Sequence, residues 1–338
     1  MQVNRFQLSF LVMYLGIGNI SAFASGPSNT TDEKLEVQSL IKMIQSAPQK
    51  LNYSGTFVYQ QASQIRTSKI THHVDANGEL EKLEILDGNS REYVRKNDEV
   101  SCYLPDSKTV QVEKDVTQEV FPALLARNAT QLPDFYTFKK GEVSRVAGLE
   151  CQTYVMSPRD GARYGYRLCV EKQSGLLLRA QTVNNHDEVI EQIAFTQLKL
   201  GDIDKNKIKP SFQNLSQWHI ENLTVQSNIS SGWIVKSLPA GFVKTKELKR
   251  VISAPPSIPS GRKPPNSHQV IQMIFSDGMA AISVFIEPNM EQHSEGSLQQ
   301  GAMTIMTKRQ GDYWLTVVGE VPANAIRQVV NSIEFKPK

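Results

Sequence analysis

Residues 52–112 alternate apolar and polar side chains through one segment after another, and this period of two points to strands and away from helices. Tyr53, Phe57 and Tyr59 fall on one face of the first segment, and Ser54, Thr56 and Gln60 fall on the other. Residues 65–74 continue as strand. Asp75-Ala76-Asn77-Gly78 is turn chemistry, because Asn and Gly tolerate positive φ at little cost. Strands over 80–86 and 100–104 follow, and Pro105-Asp106-Ser107 turns the chain into 109–112. In the second of these, Val100, Cys102 and Leu104 share a face. The expected product is a large antiparallel sheet with one apolar face that must be covered or must hold a ligand.

The N-terminus reads as a targeting segment. Arg5 supplies a short positive region, residues 8–17 are mostly apolar but too short to span a bilayer, and Ala22-Phe23-Ala24 offers a small-residue cleavage site. Residues 1–24 are therefore expected to be a signal peptide. The whole chain of 338 residues carries 37 Lys and Arg against 34 Asp and Glu. Removing Arg5 leaves 36 against 34, or about +2, too little for a nucleic-acid partner. Hydrophobic residues at 40% and charged residues at 21% are those of an ordinary globular protein, exported here and expected in a periplasm.

Residues 32–46 have Leu35, Leu40, Ile41 and Ile44 at helical spacing, with Thr31 or Asp32 to cap the start and Pro48 to end the helix. Residues 119–127 read as a short helix or turn, and 133–140 as an extended segment. The next hairpin places residues 149–156 against 163–171. With Met156 opposite Tyr164, Tyr154 faces Tyr166 and Cys151 faces Cys169. That register leaves two states open for the cysteines, a disulfide or two separate thiols. Cys102 is the odd one and reads as a buried free thiol.

A polar stretch ending at Pro210 sets the expected domain boundary: a strand-rich domain over 25–204, a linker over 205–216 and a smaller domain over 217–338. In the second domain, residues 253–267 hold five prolines and read as an exposed loop. Asp277-Gly278 between two apolar runs is a strong hairpin signal, and Gly311-Asp312 repeats it. Pro322 opens a final helix with Ile326, Val329, Val330 and Ile333 on one face. The fold class expected is α+β: a large curved antiparallel sheet with helices, then a smaller antiparallel sheet backed by a helix.

No catalytic motif stands out: there is no G-x-S-x-G, no H-E-x-x-H, no C-x-x-C and no phosphate-cradling loop. His72 and His73 adjoin on a strand, where neighbours point to opposite faces, so they share no metal. Glu79, Glu81 and Glu84 read as a solvated strand face. No cofactor, no metal and no enzymatic activity is expected. Arg159, Arg163 and Arg167 form a cationic rim on the hairpin that suits an acidic partner segment or a phosphorylated headgroup, and solvated turn positions are the plainer account.

Six segments carry a resemblance: LNYSGTFVY at 51–59, VSCYLPD at 100–106, PRDGARYGYR at 158–167, LPAGF at 238–242, FSDGMAAISVF at 275–285 and VVGEVP at 317–322. In this order they resemble the RseB/MucB family of periplasmic regulators over nearly the whole mature chain. The resemblance implies a first domain like the lipoprotein carriers LolA and LolB, an unclosed antiparallel β-barrel (a half-barrel) with helices, joined by a linker to a smaller C-terminal α/β domain. It implies binding to the periplasmic part of an RseA/MucA-like inner-membrane anti-sigma factor, which is thereby shielded from site-1 proteolysis. Lipopolysaccharide or a lipoprotein acyl chain would relieve the shield. On this reading Arg159, Arg163, Arg167, Phe275, Asp277 and Phe285 are the expected partner contacts, and Phe57, Tyr59 and Leu104 the expected lipid contacts. A lipid or lipoprotein carrier is the alternative function, and homo-oligomerisation is left open.

Overall fold

The computed structural model describes residues 30–114, 121–126, 129–212, 214–223, 225–227, 229–252, 268–288 and 294–336. The signal segment and the proline-rich stretch at 253–267 lie outside the described residues.

Helix α1, Thr30–Lys50, comes first. It runs past Pro48, where a stop is expected. Proline in the last turn forfeits only its own N–H bond and keeps a helical φ, and Leu51 N still donates to Ala47 O at 3.1 Å. Six strands follow as a meander: β1 Tyr53–Gln61, β2 Gln64–Asp75, β3 Gly78–Ile85, β4 Arg91–Lys96, β5 Glu99–Leu104 and β6 Thr109–Glu113. The described part of 119–127 is irregular, with Phe121 and Leu125 buried. Residues expected to be extended at 133–135 form the short helix α2, Leu132–Phe135, because Pro133 sits in its first turn. Five more strands follow it: β7 Tyr136–Val146, β8 Leu149–Pro158, β9 Gly165–Glu171, β10 Leu177–Val183 and β11 Val189–Leu200. Strand β12, His219–Asn222, pairs parallel with β6. These twelve strands form one sheet in the order β12-β6-β5-β4-β3-β2-β1-β11-β10-β9-β8-β7. Its outer strands, β12 and β7, do not pair with each other, so the barrel is unclosed.

The alternation read from the sequence holds in β1, where Tyr53, Gly55 and Phe57 point into the core. They meet Ile41, Ile44 and Ala47 of α1, and the inward residues of β8 to β11. At about 1.5–3 kcal/mol for each fully buried large apolar side chain, this helix face is what holds α1 on the sheet. Leu35, expected on that face, is exposed. In β5 the buried residue is Tyr103 rather than Cys102 or Leu104, because Phe212 and Trp218 of the connection between β11 and β12 cover its face at ring separations of 6.3 and 6.4 Å.

The β8–β9 hairpin has Met156 opposite Tyr166 and Cys169 opposite Thr153, a register two residues away from the expected one. A slip of two keeps every side chain on its original face, so Cys151 and Cys169 still meet, diagonally, and are joined by a disulfide with Cα atoms 5.4 Å apart. Cys102 is a half-buried free thiol whose pKa burial pushes up against the pull of Tyr93 and Arg91, which makes it a poor nucleophile.

The second part of the chain adds β13 Val225–Ser227, β14 Trp233–Val235, β15 Val243–Ile252, β16 His268–Ser276, β17 Ala281–Pro288, β18 Gly296–Gln300, β19 Met303–Gln310 and β20 Tyr313–Gly319. Helix α3, Ala323–Val330, and β21, Ile333–Phe335, close it. Seven strands pair in the order β13-β15-β16-β17-β20-β19-β18, and β14 pairs with β21 as a separate ribbon. Ile326, Val329 and Val330 of α3 pack on Ile282, Val284, Leu315 and Val317, while Asn324, Arg327 and Gln328 face outward.

Candidate functional site at the domain junction

The two sheets meet at Arg163, just before β9. Its Nε donates to Asp277 Oδ2 at 2.7 Å, its other guanidinium nitrogens donate to Asp160 and to the Ala240 carbonyl, and neither Arg163 nor Asp277 has an exposed side chain. The guanidinium carbon lies 4.7 Å from the Phe135 ring centroid and 5.1 Å from that of Phe242, one ring from each half of the molecule. A planar, weakly hydrated cation suits such a slot far better than an ammonium would. Asp277 is equally satisfied: its Oδ1 accepts from the N–H groups of Met279 and Ala280, each at 2.9 Å, which is the turn chemistry of the β16–β17 hairpin.

The turn fits because residue 278 is glycine. Its φ is +101°, and a Cβ there would stand 2.4 Å from Ala129 Cα across the junction. The approach is closed by Ala126 N donating to Gly278 O at 2.9 Å. Further polar contacts ring the junction: Gln61 Nε2 to Gln300 O at 3.0 Å, Gln299 Nε2 to Tyr164 Oη at 3.2 Å, Asn324 Nδ2 to Gly161 O at 3.0 Å, and Arg250 with Glu113 at 3.0 Å. Beside Arg163, the Tyr136 hydroxyl is buried without a hydrogen-bond partner among the described residues, and burial together with the Asp277 charge holds its pKa well above the ordinary phenol value.

The expected partner contacts divide accordingly. Arg163 and Asp277 do not form an open rim; they neutralise each other inside the molecule. Phe275 is buried in the second core. Arg159 keeps an exposed side chain, Arg167 is half-buried and pairs with Asp187 at 2.7 Å, and Phe285 is half-buried on the face opposite Ile282 and Val284. Among the expected lipid contacts, Phe57 is committed to the core between Phe121 and Phe195, at 5.2 and 6.0 Å. The Tyr59 hydroxyl donates to Glu191 at 2.6 Å, which together with burial raises its pKa, and Leu104 is half-buried. A cavity of about 270 Å³ does lie against the large sheet, lined by Met43, Lys140, Gln152, Tyr154, Val170, Glu171 and Lys172, and none of the three expected residues is among them.

The residues that sequence reasoning missed are Phe135, Ala240 and Phe242, together with the pairing of Arg163 with Asp277. The signal was present in one form. Three of the six segments that carry the resemblance, at 158–167, 238–242 and 275–285, converge on this single guanidinium.

The profile of the MucB/RseB N-terminal domain matches residues 36–212, and that of the MucB/RseB C-terminal domain matches residues 227–334. The chain belongs to the MucB/RseB family. It is 29% identical over 311 residues to the sigma factor AlgU regulatory protein MucB of Pseudomonas aeruginosa, covering 87% of this chain and 89% of that one. It is 23% identical over 300 residues to the sigma-E factor regulatory protein RseB of Escherichia coli K12, covering 88% and 90%. A crystal structure of MucB in complex with MucA(peri) superposes with a TM-score of 0.65 at 26% identity, over 89% of this chain and 99% of that one. The P. aeruginosa MucA/MucB complex gives 0.68 at 25% identity, over 90% and 100%. Among the described residues, no helix is long and apolar enough to cross a membrane.

Proposed function

We propose that this MucB/RseB family member is a non-enzymatic negative regulator of an envelope-stress response. In the periplasm it binds the periplasmic part of a MucA- or RseA-like inner-membrane anti-sigma factor and shields that segment from site-1 proteolysis. Lipopolysaccharide or the acyl chain of a mislocalised lipoprotein relieves the shield. The observation that carries this reading is the end-to-end likeness, through both sheets, to a MucB whose solved structure contains MucA(peri).

The physical requirements of the role are met without a catalytic group. A shielding protein needs a surface that holds an extended segment and a second ligand that binds the free and occupied forms unequally. Arg159, Arg167 and Phe285, which keep exposed or half-exposed surface near or beyond the junction, are the proposed contacts for the anti-sigma segment.

The test is calorimetric titration of the mature protein with the periplasmic segment of the anti-sigma factor from the same genome, followed by digestion of that segment with its site-1 protease. Saturable binding and slowed cleavage are expected, and added lipopolysaccharide should restore cleavage. Retention of lipid with no affinity for any anti-sigma segment would move the assignment to a lipid carrier.

A further inference from the structure

The β2–β3 hairpin holds a cluster that the regulatory role does not use. His72 on β2 is 1% exposed, with its ring stacked on Tyr53 at 4.8 Å between centroids. Its Nδ1 is 2.8 Å from the Leu51 carbonyl oxygen. That oxygen can only accept, so Nδ1 carries a proton and donates it, and in the neutral ring the lone pair sits on Nε2. The Nε2 atom is fully buried without an aligned hydrogen bond among the described residues, and Glu79 Oε1 stands 3.1 Å from it, within ion-pair distance. Glu81 lies directly across the β2–β3 ladder from His72. One ligand atom each from His72, Glu79 and Glu81 falls within 4.8 Å of the others.

We propose that His72, Glu79 and Glu81 form a binding site for a divalent first-row transition-metal ion, zinc being the representative. A backbone carbonyl that fixes the far nitrogen of a buried imidazole is the outer-shell arrangement that orients histidine ligands. One imidazole with two carboxylates is a donor set suited to zinc rather than to magnesium or calcium. A tetrahedral ion with bonds near 2.0 Å places neighbouring ligand atoms about 3.3 Å apart, so the 3.1 Å separation of His72 Nε2 and Glu79 Oε1 is already close to the bound geometry. Glu79 is 34% exposed and leaves the fourth position open to water. The sequence concealed the site because it pairs a histidine with carboxylates from the next strand, whereas adjacent His72 and His73 drew attention to each other. Arg95 on β4 lies opposite Glu81 and competes with the ion for that carboxylate. A proton on Nε2, ion-paired with Glu79, is the rival occupant.

The test uses the mature full-length protein, stripped with a chelator and exchanged into chelator-free buffer, titrated with zinc by calorimetry and with cobalt by visible absorption. One equivalent of zinc should bind, with a cobalt spectrum of low coordination number. E79Q and E81Q should each weaken binding at least about tenfold, and H72Q should abolish it. R95A, which removes the competing cation, should tighten it. Should H72Q fail to fold by circular dichroism, the two glutamate variants decide, because their side chains are only partly buried. Ring ¹⁵N spectra of the wild type add an independent readout: zinc should shift Nε2 of His72 and leave Nδ1 protonated. Absence of saturable binding, binding unaltered in all variants, or ring signals unmoved by zinc would overturn the assignment in favour of the proton.

Discussion

Arg163 shows what one buried charge costs and gives. Each of its three nitrogens donates a hydrogen bond and two aromatic rings lie against it, so the guanidinium is desolvated yet held at every nitrogen. Removing it would leave the buried Asp277 carboxylate without its counter-charge. Breaking a buried pair from one side costs about 3–5 kcal/mol, and urea unfolding of R163A should show a loss of that size. R163K keeps the charge but not the fork or the flat ring contacts, so it should fall between R163A and the wild type. A loss under about 1 kcal/mol for R163A, as an exposed pair would give, would mean the charge is solvated. Nothing local announced this role. Arg163 sits 114 residues from Asp277 in sequence, and next to Asp160 and Arg167 it reads as one more charge on a turn. Pairing at that range is invisible to any pattern confined to one segment.

At the scale of elements, the period of two and the turn residues at 75–78 made strands of the large sheet legible, and Asp277-Gly278 marked the β16–β17 hairpin of the second sheet. Register was not legible in the same way. Two registers of the β8–β9 hairpin that differ by two residues put the same side chains on the same faces, so the apolar pattern cannot choose between them. The connecting loop chooses, and the disulfide forms on the diagonal. With a sequence separation of 18, this cross-link should contribute about 3 kcal/mol by restricting the unfolded chain. The double variant C151A/C169A should show that deficit in urea, and an unchanged midpoint would count against it. In the second sheet, Glu247 on β15 supplies a pH dependence. Burial works against its ionised form, but the Lys244 ammonium at 2.6 Å and the Ser231 hydroxyl and N–H at 2.6 and 2.8 Å hold its pKa below the ordinary glutamate value. The folded state therefore binds fewer protons than the unfolded one as pH falls through that range. The stabilisation is complete above the unfolded value of about 4.3 and is lost as pH drops through the lower folded value. Acid unfolding curves of E247Q should lack this component, and the variant should already be less stable at pH 7.

At the scale of the whole molecule, the junction decides whether the two sheets act as one body. Each has its own core, and each could unfold separately if nothing joined them. What joins them is compact: one sandwiched guanidinium, one glycine turn pressed against Ala129, and a ring of polar contacts. Because both halves share the Arg163–Asp277 pair, disruption of either half exposes the other's buried charge, and their unfolding is coupled. Scanning calorimetry of the wild type should give one cooperative transition. In R163A the shared term is gone, and the endotherm should split into two, with the smaller second sheet melting first because it has fewer strands to bury its face. Small-angle scattering of the folded variant should show a larger radius of gyration than the wild type, since the halves are then free to swing. A single transition with an unchanged radius in R163A would show that the peripheral hydrogen bonds hold the sheets together without the clamp. In that case a ligand that separates the halves would have to act on those contacts and not on Arg163.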